Sequence, residues 1–106
     1  MQTRDAVGEL IGVTYEKDAL GQLVPVERKR EVFLELSGIQ RSEFFQAGQR
    51  GLRPELVACI FPEDYGGEDS IEVEGVRYGI YRTYPGKHGR LELYLQKKAG
   101  AQTGTG

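Results

Sequence analysis

The side chains of this sequence that could do chemistry are few, and their spacing matches no established catalytic pattern. Two pairs of neighbouring acids, Glu63-Asp64 and Glu68-Asp69, lie in a Gly-containing stretch. Adjacent acids there are typical of a solvated turn, whereas calcium loops use spaced oxygen ligands that end in a bidentate Glu. His88 is the single histidine, and no Cys or Ser stands in a pattern that would make it the base of a nucleophile. The sequence therefore predicts no catalytic residue, no metal ligand and no cofactor, and the chain is not expected to be an enzyme.

Three further groups could bind a ligand. The glycines at 66–67 and 86 lack the spacing of a phosphate-binding loop. The basic run Arg28-Lys29-Arg30 is more typical of a solvated strand edge than of a phosphate site. A stacking platform for single-stranded nucleic acid, as in an OB-fold, could be formed by Tyr78, Tyr81, Tyr84 and Tyr94. Because no basic excess accompanies these tyrosines, the class that remains is a protein that interacts with other proteins.

Composition sets the broad class. The chain has 106 residues, the size of one domain that can bury a core without disulfides. Its 16 acidic and 14 basic residues give a formal charge of −2, unlike the basic excess of a dedicated nucleic-acid binder. Cys59 is the single cysteine, so neither a disulfide framework nor a cysteine-based metal site is expected. With no apolar run of about 18 residues and no signal-peptide pattern, we expect a soluble intracellular domain without membrane contact.

Alternation of apolar and polar residues predicts about six short strands. The first is expected near 10–15 and the second over 23–36, where Pro25 indicates a strand edge because proline lacks the N–H of a sheet ladder. Glu74-Gly75 is expected to form a tight hairpin turn, after which the return strand should place Tyr78, Ile80 and Arg82 on one face. The predicted core residues are Val32, Leu34, Leu36, Ile71, Val73, Ile80, Leu91, Leu93 and Leu95.

The segment 55–61 is apolar on both alternating faces, so two orientations are possible. Either Leu56, Ala58 and Ile60 face the core, or Val57, Cys59 and Phe61 do.

The segment 41–51 does not alternate, and it contains the adjacent pair Phe44-Phe45. Neighbouring residues of a strand point to opposite faces, whereas both rings can cover one broad face of a helix. We therefore expect a short helix with Ser42 as N-cap, Glu43 in its first turn, and Gly48 or Gly51 at its end. It is either a connector that plugs one end of a barrel or a segment that is completed by another copy or a partner. We expect one ring to pack on the barrel near Leu36 or Ile39 while the other stays free for a neighbour; equal packing of both rings would favour the plug.

Together these patterns predict a mainly β fold, a small six-stranded β-barrel or sandwich with one short helix in a long insertion after the second strand. Residues 1–9 show no periodicity and are expected to form a flexible N-terminus. Residues 10–98 form the single domain, with the insertion at 37–54. Residues 99–106 are small and polar and are expected to be a disordered tail.

Four segments carry a resemblance to a known family. They are residues 30–36, 41–51, 71–84 and 91–95, and the Ser-Glu-Phe-Phe-Gln-Ala block in the second is the most specific. On these residues the chain resembles the siphophage head–tail joining proteins, also called head closure, stopper or head–tail adaptor proteins. The resemblance spans roughly residues 10–100, while Pro25 and Cys59 depart from a generic member.

The resemblance implies a β-barrel subunit of a virion ring at the head–tail interface, assembled in the host cytoplasm and dodecameric like the portal. Its implied partners are other copies of itself, the portal or adaptor ring, and the tail or tail-terminator protein. Packaged DNA would be channel content only, and the insertion would help to close the channel, for which the ring that does not pack on the barrel would also be free. The insertion residues expected to make contacts are Arg41, Ser42, Glu43, Phe44, Phe45, Gln46, Gln49 and Arg50. The alternative is an OB-like or SH3-like binding module for nucleic acid or peptide.

Overall fold

A computed structural model describes residues 3–97 and shows six antiparallel strands closed into a barrel. The strand order around the barrel is β1-β2-β3-β6-β5-β4, and one short helix, α1, connects β2 to β3. The predicted fold class is therefore confirmed, as a barrel rather than a sandwich. Within the described residues, no helix is long and apolar enough to cross a membrane. The elements are β1 (Thr3–Lys17), β2 (Leu23–Ser37), α1 (Arg41–Gly48), β3 (Pro54–Ile60), β4 (Ser70–Val73), β5 (Val76–Pro85) and β6 (Leu91–Lys97).

The barrel interior is filled by the apolar face that alternation predicts. All but two of the predicted core residues are buried, and those two, Ile80 and Leu91, are partly buried and pack against the rest. The Glu74-Gly75 turn is also confirmed: both residues have positive φ, of 54° and 79°, as a two-residue type I′ hairpin requires.

The predicted flexible N-terminus is wrong over Thr3–Glu9, which forms the first half of β1. This half pairs with β2 residue by residue, beginning with Thr3 opposite Ser37. Its inward positions include Gly8, which is buried although it has no side chain, so the segment gives no hydrophobic periodicity. The predicted tail, 99–106, lies outside the described residues.

Gly8 of β1 pairs with Val73 of β4, and its backbone is tightly enclosed there. A Cβ atom built at this position would lie 3.0 Å from the carbonyl oxygen of Glu72 and 3.0 Å from a methyl group of Leu34. The backbone oxygen belongs to the strand that closes the barrel, so it cannot move aside as a flexible side chain could.

Gly8→Ala is expected to lower the free energy of unfolding by about 1–3 kcal/mol through overpacking. Urea unfolding of the two proteins measures the difference. Gly79→Ala is the matched control, since Gly79 also lies in a barrel strand but its Cβ would meet no atom closer than 3.9 Å. Equal effects of the two substitutions would contradict the close approach at Gly8.

β1 and β2 extend beyond the barrel as a two-stranded ribbon. β1 pairs with β4 only over Gly8–Ile11, and β2 pairs with β3 only over Glu35–Ser37, whereas β1 and β2 pair along their whole length. The ribbon helps to explain the long axis of 52 Å against 30 and 23 Å for the others. Pro25 lies in this ribbon on the edge of β2 that β3 does not reach, which confirms the predicted edge.

β3 has both faces covered, which decides between the two orientations predicted for it. Ala58 and Ile60 are fully buried in the barrel interior, so the first alternative is correct. Val57 points the other way, yet it is also buried because α1 packs on the outside of this strand. The apolar character of both faces thus reflects two separate contacts.

Candidate interaction surface

A β-bulge in β5 changes which of its side chains point outward toward the helix. Ile80 lies opposite Leu95 of β6, but the next pair is Arg82 opposite Tyr94, so Tyr81 is an extra residue in β5. Such a bulge turns the side chains that follow it. The prediction that Arg82 shares a face with Tyr78 and Ile80 is therefore wrong: Arg82 joins Tyr81 on the outer face, while Tyr78 is buried inside.

Glu43 anchors α1 to this outer face. Arg82 donates two hydrogen bonds to its carboxylate, from Nη2 to Oε1 at 2.6 Å and from Nε to Oε2 at 3.2 Å. The Tyr81 hydroxyl donates a third to Oε2 at 2.7 Å. The Glu43 side chain is only 12% exposed, so this bidentate, charge-assisted contact is largely shielded from water.

The cation of this anchor is itself held by aromatic rings. The guanidinium of Arg82 lies 3.9 Å from the centre of the Tyr94 ring and 5.5 Å from that of Tyr84. Tyr81 meets Tyr94 edge to face, with ring centres 6.2 Å apart, and the Tyr94 hydroxyl donates to Glu92 at 2.8 Å. Stacking and cation–π contacts fix Arg82 in place, so the anchor is rigid.

The pKa values of these groups follow from their contacts. The hydrogen bond from Arg82 is the main cause that lowers the pKa of Glu43, despite partial burial. Burial, followed by the hydrogen bond to Glu43, raises the pKa of Tyr81. Burial, followed by the hydrogen bond to Glu92, raises the pKa of Tyr94 to about 12. At neutral pH the anchor is therefore a carboxylate held by a cation and a neutral phenol.

The opposite side of α1 presents two aromatic rings to solvent. Phe44 is 53% exposed and Phe45 63% exposed, and their rings meet edge to face with centres 6.4 Å apart. The prediction that one ring packs on the barrel is therefore wrong. Glu43 and the buried Ala47, which are four positions apart on the helix, form the inner face instead. The Glu43 carboxylate makes the contact with the barrel, and both rings lie on the solvent side of the helix.

The helix also begins earlier than expected. Gln40 is the N-cap residue and its side chain makes no capping hydrogen bond, so the prediction of Ser42 as N-cap is wrong. The chain leaves the helix through Gly51, at φ 80°, with the Leu52 amide donating to the carbonyl of Ala47 at 3.0 Å. The helix is therefore kept in place by its tertiary anchor rather than by a strong N-cap.

The predicted insertion residues divide into two groups. Ser42, Glu43 and Gln46 line a cavity of about 390 Å³ between helix and barrel, and Arg50 lies close enough to Glu43 to contribute to its lowered pKa. The exposed residues of the insertion that face away from this anchor define what we call the helix surface. The helix surface consists of Arg41, Phe44 and Phe45, which lie on one face of α1, while Gln49 is the exposed C-cap.

The four tyrosines that could form a stacking platform are not all available for it. Tyr78 is buried in the barrel, whereas the other three lie around Arg82. Glu68 accepts a hydrogen bond from Arg30 at 2.7 Å, while His88 lies in an exposed turn at φ 58°. Over residues 3–97, no group of three His, Cys, Asp or Glu side chains could hold a metal ion.

The ribbon is a second exposed surface, which the sequence analysis did not identify as a contact region. Apolar side chains on both of its strands and on the connecting loop are solvent-exposed, and Leu20 in the loop reaches 82%. Asp18 orders this loop by accepting hydrogen bonds from the Leu20 and Gln22 amides, both at 2.9 Å. The sequence signal was the recurrence of apolar residues on both sides of the polar run Glu16-Lys17-Asp18, next to the proline edge at Pro25. The exposed members are Val13, Tyr15, Leu20, Leu23 and Val24.

No protein-family model matches the sequence, and no curated protein matches it significantly.

Proposed function

We propose that this chain is a structural subunit of a ring in the head–tail connector of a tailed phage, where it joins the portal or adaptor ring to the tail. The observation that carries the proposal is the exposure of Phe44 and Phe45 on a helix that is firmly anchored through Glu43. The resemblance of the sequence to head–tail joining proteins supports the same function, and it assigns the insertion at 37–54 to channel closure.

The exposed rings of Phe44 and Phe45 belong to a helix whose position is fixed by its anchor. A flexible segment could fold its aromatic rings onto the barrel, but α1 is held with the rings pointing away. Neighbouring exposed rings of this kind mark a contact with another protein. A rigid helix loses little conformational entropy when it binds, so preorganisation favours assembly. A ring subunit needs such a surface on every copy.

The alanine variant Phe44→Ala/Phe45→Ala is expected to weaken self-association about tenfold or more, because large aromatic anchors carry much of the energy of an interface. Its melting temperature should stay close to that of the wild type, since neither ring packs in the core. Sedimentation velocity over a concentration series, alone and with portal and adaptor proteins, measures the association.

Leu20→Ala is the comparison at the second exposed surface, because it removes an exposed apolar side chain from the ribbon loop instead of the helix. If α1 forms the interface, Leu20→Ala should weaken self-association less than the double-alanine variant. A wild-type chain that stays monomeric at every concentration and binds neither portal nor adaptor would show that the proposed function is wrong. A double-alanine variant that associates like the wild type would remove α1 from the interface.

A further inference from the structure

The outer face of β1 and β2 carries an apolar pair between two pairs of acids. Val7 and Phe33 lie opposite each other, and their side chains are 46% and 71% exposed. The strand register places a carboxylate pair on each side of them. This acidic face consists of Asp5 opposite Glu35, Val7 opposite Phe33, and Glu9 opposite Glu31.

The opposed acids of the acidic face repel each other in the isolated chain. Like charges directly opposite each other on neighbouring strands destabilise a sheet. Among residues 3–97, no cation forms an ion pair with these four carboxylates, although Glu35 accepts a hydrogen bond from the Thr3 hydroxyl at 3.3 Å. Arg90 is close, but its guanidinium stacks on Phe61 at 4.3 Å. The face therefore suits a partner that brings both apolar surface and positive charge.

The helix surface has that complementary character. Phe44 and Phe45 supply apolar area, and Arg41 lies on the same side of α1. In the insertion at 37–54 the one acid, Glu43, is already bound to Arg82, and Arg50 lies near that carboxylate. The charge of the helix surface is therefore that of Arg41. The helix surface is thus aromatic and basic, whereas the acidic face combines apolar side chains with carboxylates.

We propose that the helix surface of one copy of this chain docks on the acidic face of a second copy. The inference rests on the proposed ring function and assigns the two sides of its subunit contact. In the barrel order, α1 covers the outside of β3 and reaches β5 through Arg82, whereas the acidic face lies on β1 and β2. Since the helix surface lies on α1, outside β3, and the acidic face lies on β1 and β2, one chain can use both surfaces at once. A contact between two different surfaces is heterologous, and it closes into a ring when the rotation allows.

The test uses two variants of the full chain. The helix variant is Phe44→Ala/Phe45→Ala, and the face variant is Asp5→Lys/Glu31→Lys. Both acids replaced in the face variant are exposed. Each new lysine lies opposite a remaining acid, Glu35 or Glu9, so the fold should be retained or stabilised. Glu55→Lys/Glu63→Lys is the matched control, with the same change of charge at exposed sites outside both surfaces.

Each variant alone is expected to self-associate about tenfold or more weakly than the wild type, and the control is expected to behave like the wild type. Mixing the helix and face variants should produce a dimer and nothing larger, because the mixture contains one intact helix surface and one intact acidic face per pair. Wild-type association should also weaken as salt is raised, since opposite charges approach at the contact. Sedimentation velocity and native mass spectrometry measure all of these.

The outcomes separate this inference from the proposed function. If the wild type associates and the helix variant does not, but the face variant associates normally, the helix binds elsewhere and the docking proposal is wrong while the ring proposal stands. A mixture that remains monomeric would also overturn the docking. A wild type that associates with nothing would overturn the ring proposal itself.

Discussion

Leu93→Ala is expected to lower the free energy of unfolding by about 2–5 kcal/mol, through the lost transfer free energy and the cavity that remains. Leu93 is completely buried in the middle of β6, and its neighbour across the pairing with β3 is Ala58, a small side chain that is itself fully buried. The surrounding barrel is held by strand pairing on both sides of β6, so it cannot collapse to fill the space. Urea unfolding followed by circular dichroism gives the difference.

Leu20→Ala is the matched control for this substitution. The same methyl groups are removed, but Leu20 is 82% exposed and the free energy of unfolding should change by less than about 0.5 kcal/mol. Similar effects at the two positions would mean that β6 does not line the barrel interior.

Glu43→Ala is expected to weaken the attachment of α1 to the barrel by about 1.5–3 kcal/mol, the usual contribution of hydrogen bonds to charged groups. The substitution leaves the Arg82 guanidinium and the Tyr81 hydroxyl without their shared acceptor. Amide hydrogen exchange of α1 measures the effect directly. Exchange in β6 should change less, because Leu93 and Leu95 are held by the barrel core.

The same contact predicts a dependence on pH. The pKa of Glu43 is lowered in the folded protein, chiefly by the hydrogen bond from Arg82. Its stabilising contribution is therefore complete above the ordinary glutamate pKa of about 4.3 and is lost as the pH falls through the lower pKa of the folded state. Glu43→Gln should retain the shape but remove this part of the acid sensitivity. The pKa of Glu68 is also lowered, so the informative quantity is the difference between wild type and variant.

A double-mutant cycle with Arg82→Met isolates the pair. If Glu43 acts through Arg82, the two substitutions together should cost less than the sum of their separate effects. Additive effects, or unchanged exchange in α1, would show that the helix is held by Ala47 packing alone. The helix surface would then be less rigid than the proposed assembly requires.

The sequence by itself determined the inward faces of β2, β4 and β6 and the tight turn. Where one face of a strand is buried, a shift of one residue would expose every apolar side chain, so alternation at Val32, Leu34 and Leu36 was sufficient to identify the inner face. Glu74-Gly75 was readable because the local backbone of a two-residue turn demands particular residues. Pro25 identified the unpaired edge for an equally local reason.

Only the tertiary structure decided the barrel closure and the arrangement of the helix. The N-terminal half of β1 is held by long-range pairing, and Gly8 contributes no apolar side chain that a pattern could detect. The bulge at Tyr81 depends on the register between β5 and β6, and this register places Arg82 under Glu43. Once the carboxylate has this partner, Phe44 and Phe45 point outward. The local sequence cannot specify such an outcome, because it depends on groups brought together by pairing between distant strands.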